Sequence, residues 1–291
     1  MLQVEHVSKK LGNFCLREIS FHLPKGYIMG LIGLNGAGKT SLLSLMLGLY
    51  SMDEGKIFID GLDIEAQEAL AKDEIGFVLA EELFSGQLSL KANADLYGKY
   101  YSQYEKDLFL QYCQQFSLNP EKKLYKHSKG EKLKFQFAFA LSHQPKLLVL
   151  DEPTANFDPE FRQHFFRILT GFIKDGEHSV ILATHLTEDL DRIADYITFL
   201  NQGRLEFCMD RKELENSYRL VSGENYKINL LPKDSIICKE KGSYGTKALV
   251  KHSRWSDYDK ELLVSVPAIE DIMYFILKGE RGNASNRMEG L

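Results

Sequence analysis

The chain lacks any apolar run near the roughly 18–20 residues needed to cross a bilayer. Its first residues, MLQVEHVSKK, lack the apolar core of a secretory signal peptide. Cysteine is scarce: Cys15, Cys113, Cys208 and Cys238 are the only four in 291 residues, and no two are close in sequence. That scatter argues against a Cys-based zinc or redox site and fits a reducing compartment. A basic surplus is also missing. Lys and Arg number 36 against 41 Asp and Glu, a net charge of -5, so the electrostatic footprint of a nucleic-acid binder is absent. There is no internal repeat. With 44% hydrophobic and 26% charged residues, the composition excludes a wholly disordered, collagen-like or disulfide-scaffold chain. These absences together predict a soluble, cytoplasmic protein whose membrane role, if it has one, comes through a partner. The sequon at Asn283 then reads as incidental.

What is present is alternation. Near-continuous apolar runs at Tyr27–Ile32, Ile75–Leu79, Leu147–Leu150, Ser179–Ala183 and Tyr196–Leu200 read as strands, and helical patterns at Thr40–Gly48 and Phe161–Ile173 follow some of them. Such runs, interleaved with helices, predict a mostly parallel sheet buried on both faces. Gln3–Val7, Glu18–Leu23 and Lys56–Ile59 alternate or carry β-branched residues beside Gly turns, which predicts an added antiparallel part. Residues 83–142 read as an inserted helical subdomain. Net charge changes near residue 215: residues 216–291 hold 12 Lys+Arg and 10 Asp+Glu, while residues 1–215 hold 24 and 31. A charged helix at Arg211–Ser217 leads to expected strands at Tyr226–Leu230, Ser235–Cys238, Thr246–Val250 and Glu261–Val266. A helix at Ala268–Leu277 follows Pro267. Residues 216–279 thus read as a small C-terminal α+β extension and residues 280–291 as a fraying tail.

Gly33-Leu34-Asn35-Gly36-Ala37-Gly38-Lys39-Thr40 fits G-x-x-x-x-G-K-[ST] between a predicted strand and a predicted helix. Chance gives such a string in roughly 1% of chains this long. The glycines permit positive φ and close backbone approach. Successive amides and the helix N-terminus then face phosphate oxygens. Lys39 supplies a point charge, and the Thr40 hydroxyl suits Mg²⁺. Asn35, Gly36, Ala37, Gly38, Lys39, Thr40 and Ser41 are therefore the expected phosphate-binding set. Leu147–Leu150 ends in Asp151 and Glu152, which places two carboxylates at the sheet's C-terminal edge. Asp151 is the expected Mg²⁺ residue with Thr40, and Glu152 the base that takes a proton from water. The fold class follows: α/β, a P-loop NTPase core with a mostly parallel sheet, an antiparallel β part and an inserted helical subdomain.

Further along, Ser128-Lys129-Gly130-Glu131 has the form of a capping box, followed by Leu133, Phe137, Ala140 and Leu141 at helical spacing. Asp158-Pro159 reads as an N-cap with Pro in the first helical position. His185 follows the strand Ser179–Ala183. Taken singly, each has a plain structural explanation. In this order, over residues 1–215, they resemble the nucleotide-binding subunit of an ABC transporter, in particular the ABC-2-type exporter ATPases. The resemblance implies an ATPase that binds ATP and Mg²⁺. It would pair with a second ABC ATPase subunit, as homodimer or heterodimer, and drive a transmembrane permease from the inner face of the membrane. It implies that Ser128 and Gly130 meet the nucleotide of the partner subunit, that Asp158 links the two sites, and that His185 senses the γ-phosphate.

Departures from the family pattern are visible too. His127, Lys129 and Glu131 alter the usual Leu-Ser-Gly-Gly-Gln. Ala80, Glu81 and Glu82 stand where the family has a Gln that reaches Mg²⁺ and the membrane subunit. Leu11 holds the usual place of the adenine-stacking aromatic, which leaves Phe14 for that role. The permease contact is expected around residues 81–97. Residues 216–291 resemble the C-terminal extension of such ATPases through Pro267–Met273, and a packing role in dimerisation is expected of them. The competing expectation is a soluble regulatory ABC-type ATPase without transport. One P-loop and no long heptad pattern weigh against it.

Overall fold

The structure, a computed structural model, describes residues 1–81, 83–243, 245–251 and 262–288, the last of these by backbone alone beyond Gly279. Glu82, Glu261 of the expected last strand, the side chain of Asn283 and residues 289–291 of the tail lie outside the described residues. Two compact units are present. One comprises Met1–His185 with Ile193–Cys208, the other Leu186–Arg192 with Met209–Leu291.

β3 (Ile28–Ile32), β6 (Ile75–Val78), β7 (Leu147–Asp151), β8 (Ser179–Ala183), β9 (Tyr196–Asn201) and β10 (Arg204–Asp210) form a six-stranded sheet in the order β10-β9-β3-β8-β7-β6, which belongs to the first unit up to Cys208 of β10. The pairs from β9 through β3, β8 and β7 to β6 are all parallel. Every residue of β3, β7 and β8 is buried, as the continuous apolar runs predict. β10 is an addition to the expected set. Its polar sequence, RLEFCMD, hides it. What creates it is the two-residue turn Gln202-Gly203, with φ of 47° and 76°, the left-handed pair that returns a strand beside its predecessor.

A second sheet, in the order β2-β1-β4-β5, is antiparallel and built from β1 (Leu2–Leu11), β2 (Phe14–Leu23), β4 (Glu54–Ile59) and β5 (Leu62–Asp63). Val4, Ile19, Ile57 and Ile59 from this sheet share one core with Met29, Leu31, Val149 and Ile181 of the parallel sheet. Leu42, Leu43, Leu45 and Met46 of α1 (Lys39–Met46) belong to the same core. An eight-residue helix is marginal on its own. Full burial of Leu42, Leu43 and Leu45 stabilises it, at about 1.5–3 kcal/mol per side chain. That packing holds the start of α1 still.

The helical part contains α3 (Leu90–Tyr97), α4 (Lys106–Gln115) and α5 (Lys129–Ser142). α5 is buried on nearly all sides: Leu133 and Phe137 lie on one side, Phe135 and Phe139 on another, and all four are buried. Phe135 meets Phe84 and Phe109 edge to face.

The second unit holds a four-stranded antiparallel sheet, β12-β13-β11-β14, from β11 (Tyr218–Gly223), β12 (Ile236–Gly242), β13 (Gly245–Lys251) and β14 (Leu263–Ser265). The expected strand at Tyr226–Leu230 is instead a short helix, α9 (Asn225–Ile228), and the strand is β11. Tyr226, Ile228 and Leu230 alternate like a strand, yet Ile228 and Leu231, three apart, are the buried pair. Ile269, Ile272 and Phe275 give α10 (Ile269–Met288) its buried face. The apolar pattern predicts an end at Leu277, but the backbone stays helical to Met288. Among the described residues, no helix is long and apolar enough to cross a membrane.

Candidate active site

The turn from β3 into α1 is shaped by steric limits. A Cβ on Gly33 would lie 2.4 Å from the Leu200 carbonyl oxygen, so only glycine lets the chain leave the sheet there. Gly36 and Gly38 hold φ of 78° and 109°, and Gly38 is the N-cap of α1. A Cβ on Gly38 would meet Leu16 Cδ2 at 2.7 Å and Phe14 Cζ at 2.8 Å. The Phe14 ring therefore lies against the helix start.

A cavity of about 510 Å³ opens here. Phe14, Asn35, Gly36, Gly38, Lys39, Thr40, Ser41, Asp151 and Glu152 line it, with Leu11 and Ala80. Its size is within the roughly 300–1,000 Å³ of small-molecule sites. Ala37 is not among the lining residues. Its N–H donates to the Leu34 carbonyl at 3.0 Å, and its carbonyl accepts the Gly203 N–H at 3.0 Å, so it shapes the turn.

Lys39 is 7% exposed and donates to the carbonyls of Gly33 at 2.8 Å and Leu34 at 3.4 Å. Burial lowers its pKa, against the opposing pull of Glu152 and Asp151. Thr40 Oγ1 donates to Asp151 Oδ2 at 2.7 Å. Burial raises the Asp151 pKa, the Thr40 hydrogen bond opposes it and the Glu152 charge adds to it. No group of three or more His, Cys, Asp or Glu among the described residues is arranged to hold a metal. One carboxylate beside one hydroxyl is instead the kind of partial site that small hard cations complete with water and phosphate oxygens.

Glu152 follows β7 with φ of 49°, a left-handed conformation costly for this side chain. Its N–H is anchored on the Ala183 carbonyl at 2.8 Å. The carboxylate is then gripped from the end of β8. Thr184 Oγ1 donates to Oε2 at 3.1 Å, the His185 N–H donates to Oε1 at 3.0 Å, and His185 Nδ1 lies 2.8 Å from Oε2. Residues 33 positions apart thus meet through the parallel β7–β8 register, which sets Asp151 beside Ala183. Thr184 immediately precedes His185, yet nothing in the sequence marks it for this role.

Ser128, Gly130 and Asp158 do not line this cavity. They make a second cluster at the starts of α5 and α6 (Pro159–Phe172). Ser128 and Glu131 form the full capping box: the Ser128 hydroxyl accepts the Glu131 N–H at 3.2 Å and Glu131 accepts the Ser128 N–H at 2.8 Å. The Ser128 N–H bond holds the Glu131 carboxyl below the usual carboxylate range. Gly130 packs against the Asn156 carbonyl oxygen, which a Cβ would approach to 2.5 Å. Asp158 caps α6 by accepting the Phe161 N–H at 2.8 Å, and Lys134 of α5 reaches it at 3.3 Å. Lys134, also missed in the sequence, sits 3.9 Å over the Phe161 ring.

The electrostatics give a testable consequence. Asp151→Asn is expected to raise the melting temperature of the nucleotide-free protein by about 2–4 °C near neutral pH. Burial lifts the Asp151 pKa in the fold above its unfolded value. Stability from such a group is fully present below the unfolded value and is lost as pH rises through the folded value. The variant's advantage should therefore open above about pH 4 and vanish in acid. Thermal melts that coincide from about pH 4 to 8 would contradict the assignment of a desolvated carboxylate.

A family profile described as ABC transporter matches residues 16–155. The linearmycin resistance ATP-binding protein LnrL of Bacillus subtilis is 32% identical over 212 residues, covering 70% of this chain and 68% of that protein. The ABC transporter ATP-binding protein YtrB of the same organism is 27% identical over 219 residues, 75% of each chain. Nod factor export ATP-binding protein I of Sinorhizobium fredii is 30% identical, covering 70% of this chain and 61% of that one. Among solved structures, an ATP-binding subunit of an ABC transporter superposes with a TM-score of 0.69 at 22% identity, over 74% of this chain and 92% of that chain. A dimeric ATP-binding cassette bound to ADP and Pi in a post-hydrolysis state gives 0.65 at 22% identity, over 72% and 98%. At these identities the structures establish the fold, and the sequence relatives establish the kinship. The chain therefore belongs to the ABC transporter family, among relatives named as its ATP-binding proteins.

Proposed function

We propose that this chain is the ATP-hydrolysing subunit of an ABC exporter, in which two ATPase subunits close on two ATP·Mg²⁺ and drive a separate permease. The observation that carries it is the Glu152 carboxylate, held by Thr184 and His185 in the lining of the cavity that also contains Lys39, Thr40 and Asp151. Lys39 and the amides around Gly36 and Gly38 bind the phosphates, and Phe14 borders the place for the base. Thr40 and Asp151 would hold Mg²⁺, which when bound supplies positive charge to the phosphate oxygens. Glu152 accepts the proton of the attacking water, and His185 keeps its carboxylate in place. Catalysis is mostly positioning and electrostatics. Ser128 and Gly130 of one subunit face the nucleotide of the other, and Asp158 joins the two sites. Residues 1–215 form this ATPase domain, and residues 216–279 support dimerisation.

The permease would dock in an apolar groove of about 440 Å³ lined by Phe77, Leu83, Phe84, Tyr97, Tyr100 and Phe139. Tyr100 is 81% exposed there. Leu83, Phe84 and Tyr97 fall in the expected contact surface, residues 81–97. The relatives named for linearmycin resistance and Nod factor export support an exporter, and the docked subunit would lie on the inner face of the membrane.

Affinity purification from detergent-solubilised membranes tests this. A polytopic membrane protein in stoichiometric amount is expected, and Tyr100→Glu is expected to release it while ATP turnover of the free subunit stays unchanged. A chain that fractionates without any membrane protein when natively expressed would favour the soluble regulatory ATPase.

A further inference from the structure

β6 is the last strand of the six-stranded sheet, so one side of its backbone has no strand neighbour among the described residues. At its exit an amide side chain takes the neighbour's place. Gln136 of α5 is 6% exposed. Its Oε1 accepts the Leu79 N–H at 2.9 Å, and its Nε2 donates to the Leu79 carbonyl at 3.0 Å and reaches the Glu81 carbonyl at 3.5 Å. A carboxamide offers the same donor and acceptor as a peptide unit, so it closes one rung of a ladder. The next residue, Ala80, borders both the phosphate cavity and a neighbouring cavity of about 210 Å³ lined by Glu81, Lys129, Lys132, Gln136 and Glu152. The same helix carries the Ser128 cap and Gly130 at its start.

Resting on the ATPase reading above, we propose that Gln136 is a positioning residue that fixes the β6 exit against α5. It ties the wall of the chain's own catalytic cavity to the capped helix offered to the partner's nucleotide. Gln136 touches neither the phosphate loop nor the Glu152 carboxylate, so it acts through the backbone at Leu79–Glu81. Ala80, a residue without a side chain long enough to reach across the cavity, makes that backbone the element to be positioned.

The experiment is steady-state ATP hydrolysis by the full chain across pH, with two substitutions. Gln136→Leu keeps the volume but leaves the Leu79 N–H and carbonyl unpaired. It should lower kcat by about tenfold or more, because misplacement near the chemistry is costly. KM for ATP should stay within about twofold, since the phosphate loop is untouched. Gln136→Glu keeps both hydrogen bonds while its carboxyl is neutral and loses the donor when it ionises. Burial raises such a pKa. This variant should approach wild-type turnover at acid pH and fall away as pH rises, relative to the wild-type profile. It also decides the matter if Gln136→Leu fails to fold. Wild-type kcat in Gln136→Leu, or a Gln136→Glu profile parallel to wild type, overturns the inference alone. A wild-type protein without turnover overturns the ATPase reading and this inference with it.

Discussion

Glu152→Gln is expected to cut ATP turnover by about a hundredfold or more while ATP binding persists, the loss typical of a missing general base. The substitution is nearly isosteric. Its carbonyl can still accept the His185 N–H that now reaches Oε1 at 3.0 Å, and the backbone at φ 49° keeps its anchor on Ala183. What disappears is the proposed proton acceptor, together with one negative charge in the cavity proposed to receive phosphates. Removing that charge lessens repulsion of the nucleotide, so affinity should hold or rise as turnover falls. A coupled enzyme assay beside nucleotide-binding measurements separates the two effects. Turnover within about threefold of wild type would show that another group, or none, takes the proton.

Lys39→Ala should do the opposite: binding weakens. The ammonium is held on the Gly33 and Leu34 carbonyls, out of bulk water, and burial already disfavours its charge. An anionic phosphate relieves that cost by restoring a charged partner. Losing one charged hydrogen bond weakens ATP binding by roughly tenfold to a hundredfold, from about 1.5–3 kcal/mol. Glu152 then faces the phosphates without the ammonium to offset its charge, which pushes the loss to the upper end. Lys39→Arg should not rescue it, because a planar guanidinium cannot occupy the ammonium's place on the Gly33 carbonyl. Calorimetric titration with ATP and Mg²⁺ reads both variants. Wild-type affinity in Lys39→Ala would remove the phosphate role of the loop.

The parallel core and its glycine-rich turn were legible because they are local. Four apolar residues and a glycine in β3, the glycines after it and the start of α1 lie within one short stretch, and each is explained by its neighbours in sequence. Asp151 and Glu152 were legible for the same reason, standing at the end of an apolar run. The missed features are relations between distant stretches. β10 is polar and exists because the Gln202-Gly203 turn folds it back on β9. Gln136 has no pattern that marks it, since its importance lies in the free edge of β6, 57 residues earlier. Lys134 gains meaning only where α5 passes Asp158. The strand expected at Tyr226–Leu230 failed because a short alternation of apolar residues satisfies both a strand and a single helical turn. Burial of Ile228 with Leu231, a tertiary fact, decided between them.

The most direct test is the oligomeric state of Glu152→Gln by analytical ultracentrifugation, with and without ATP and Mg²⁺. Monomer without nucleotide and dimer with it is the expected result, because unhydrolysed ATP stays between the phosphate loop of one copy and the Ser128–Gly130 cap of the other. A variant that binds ATP with wild-type affinity yet remains monomeric at every concentration would contradict closure of two copies of this chain around the nucleotide.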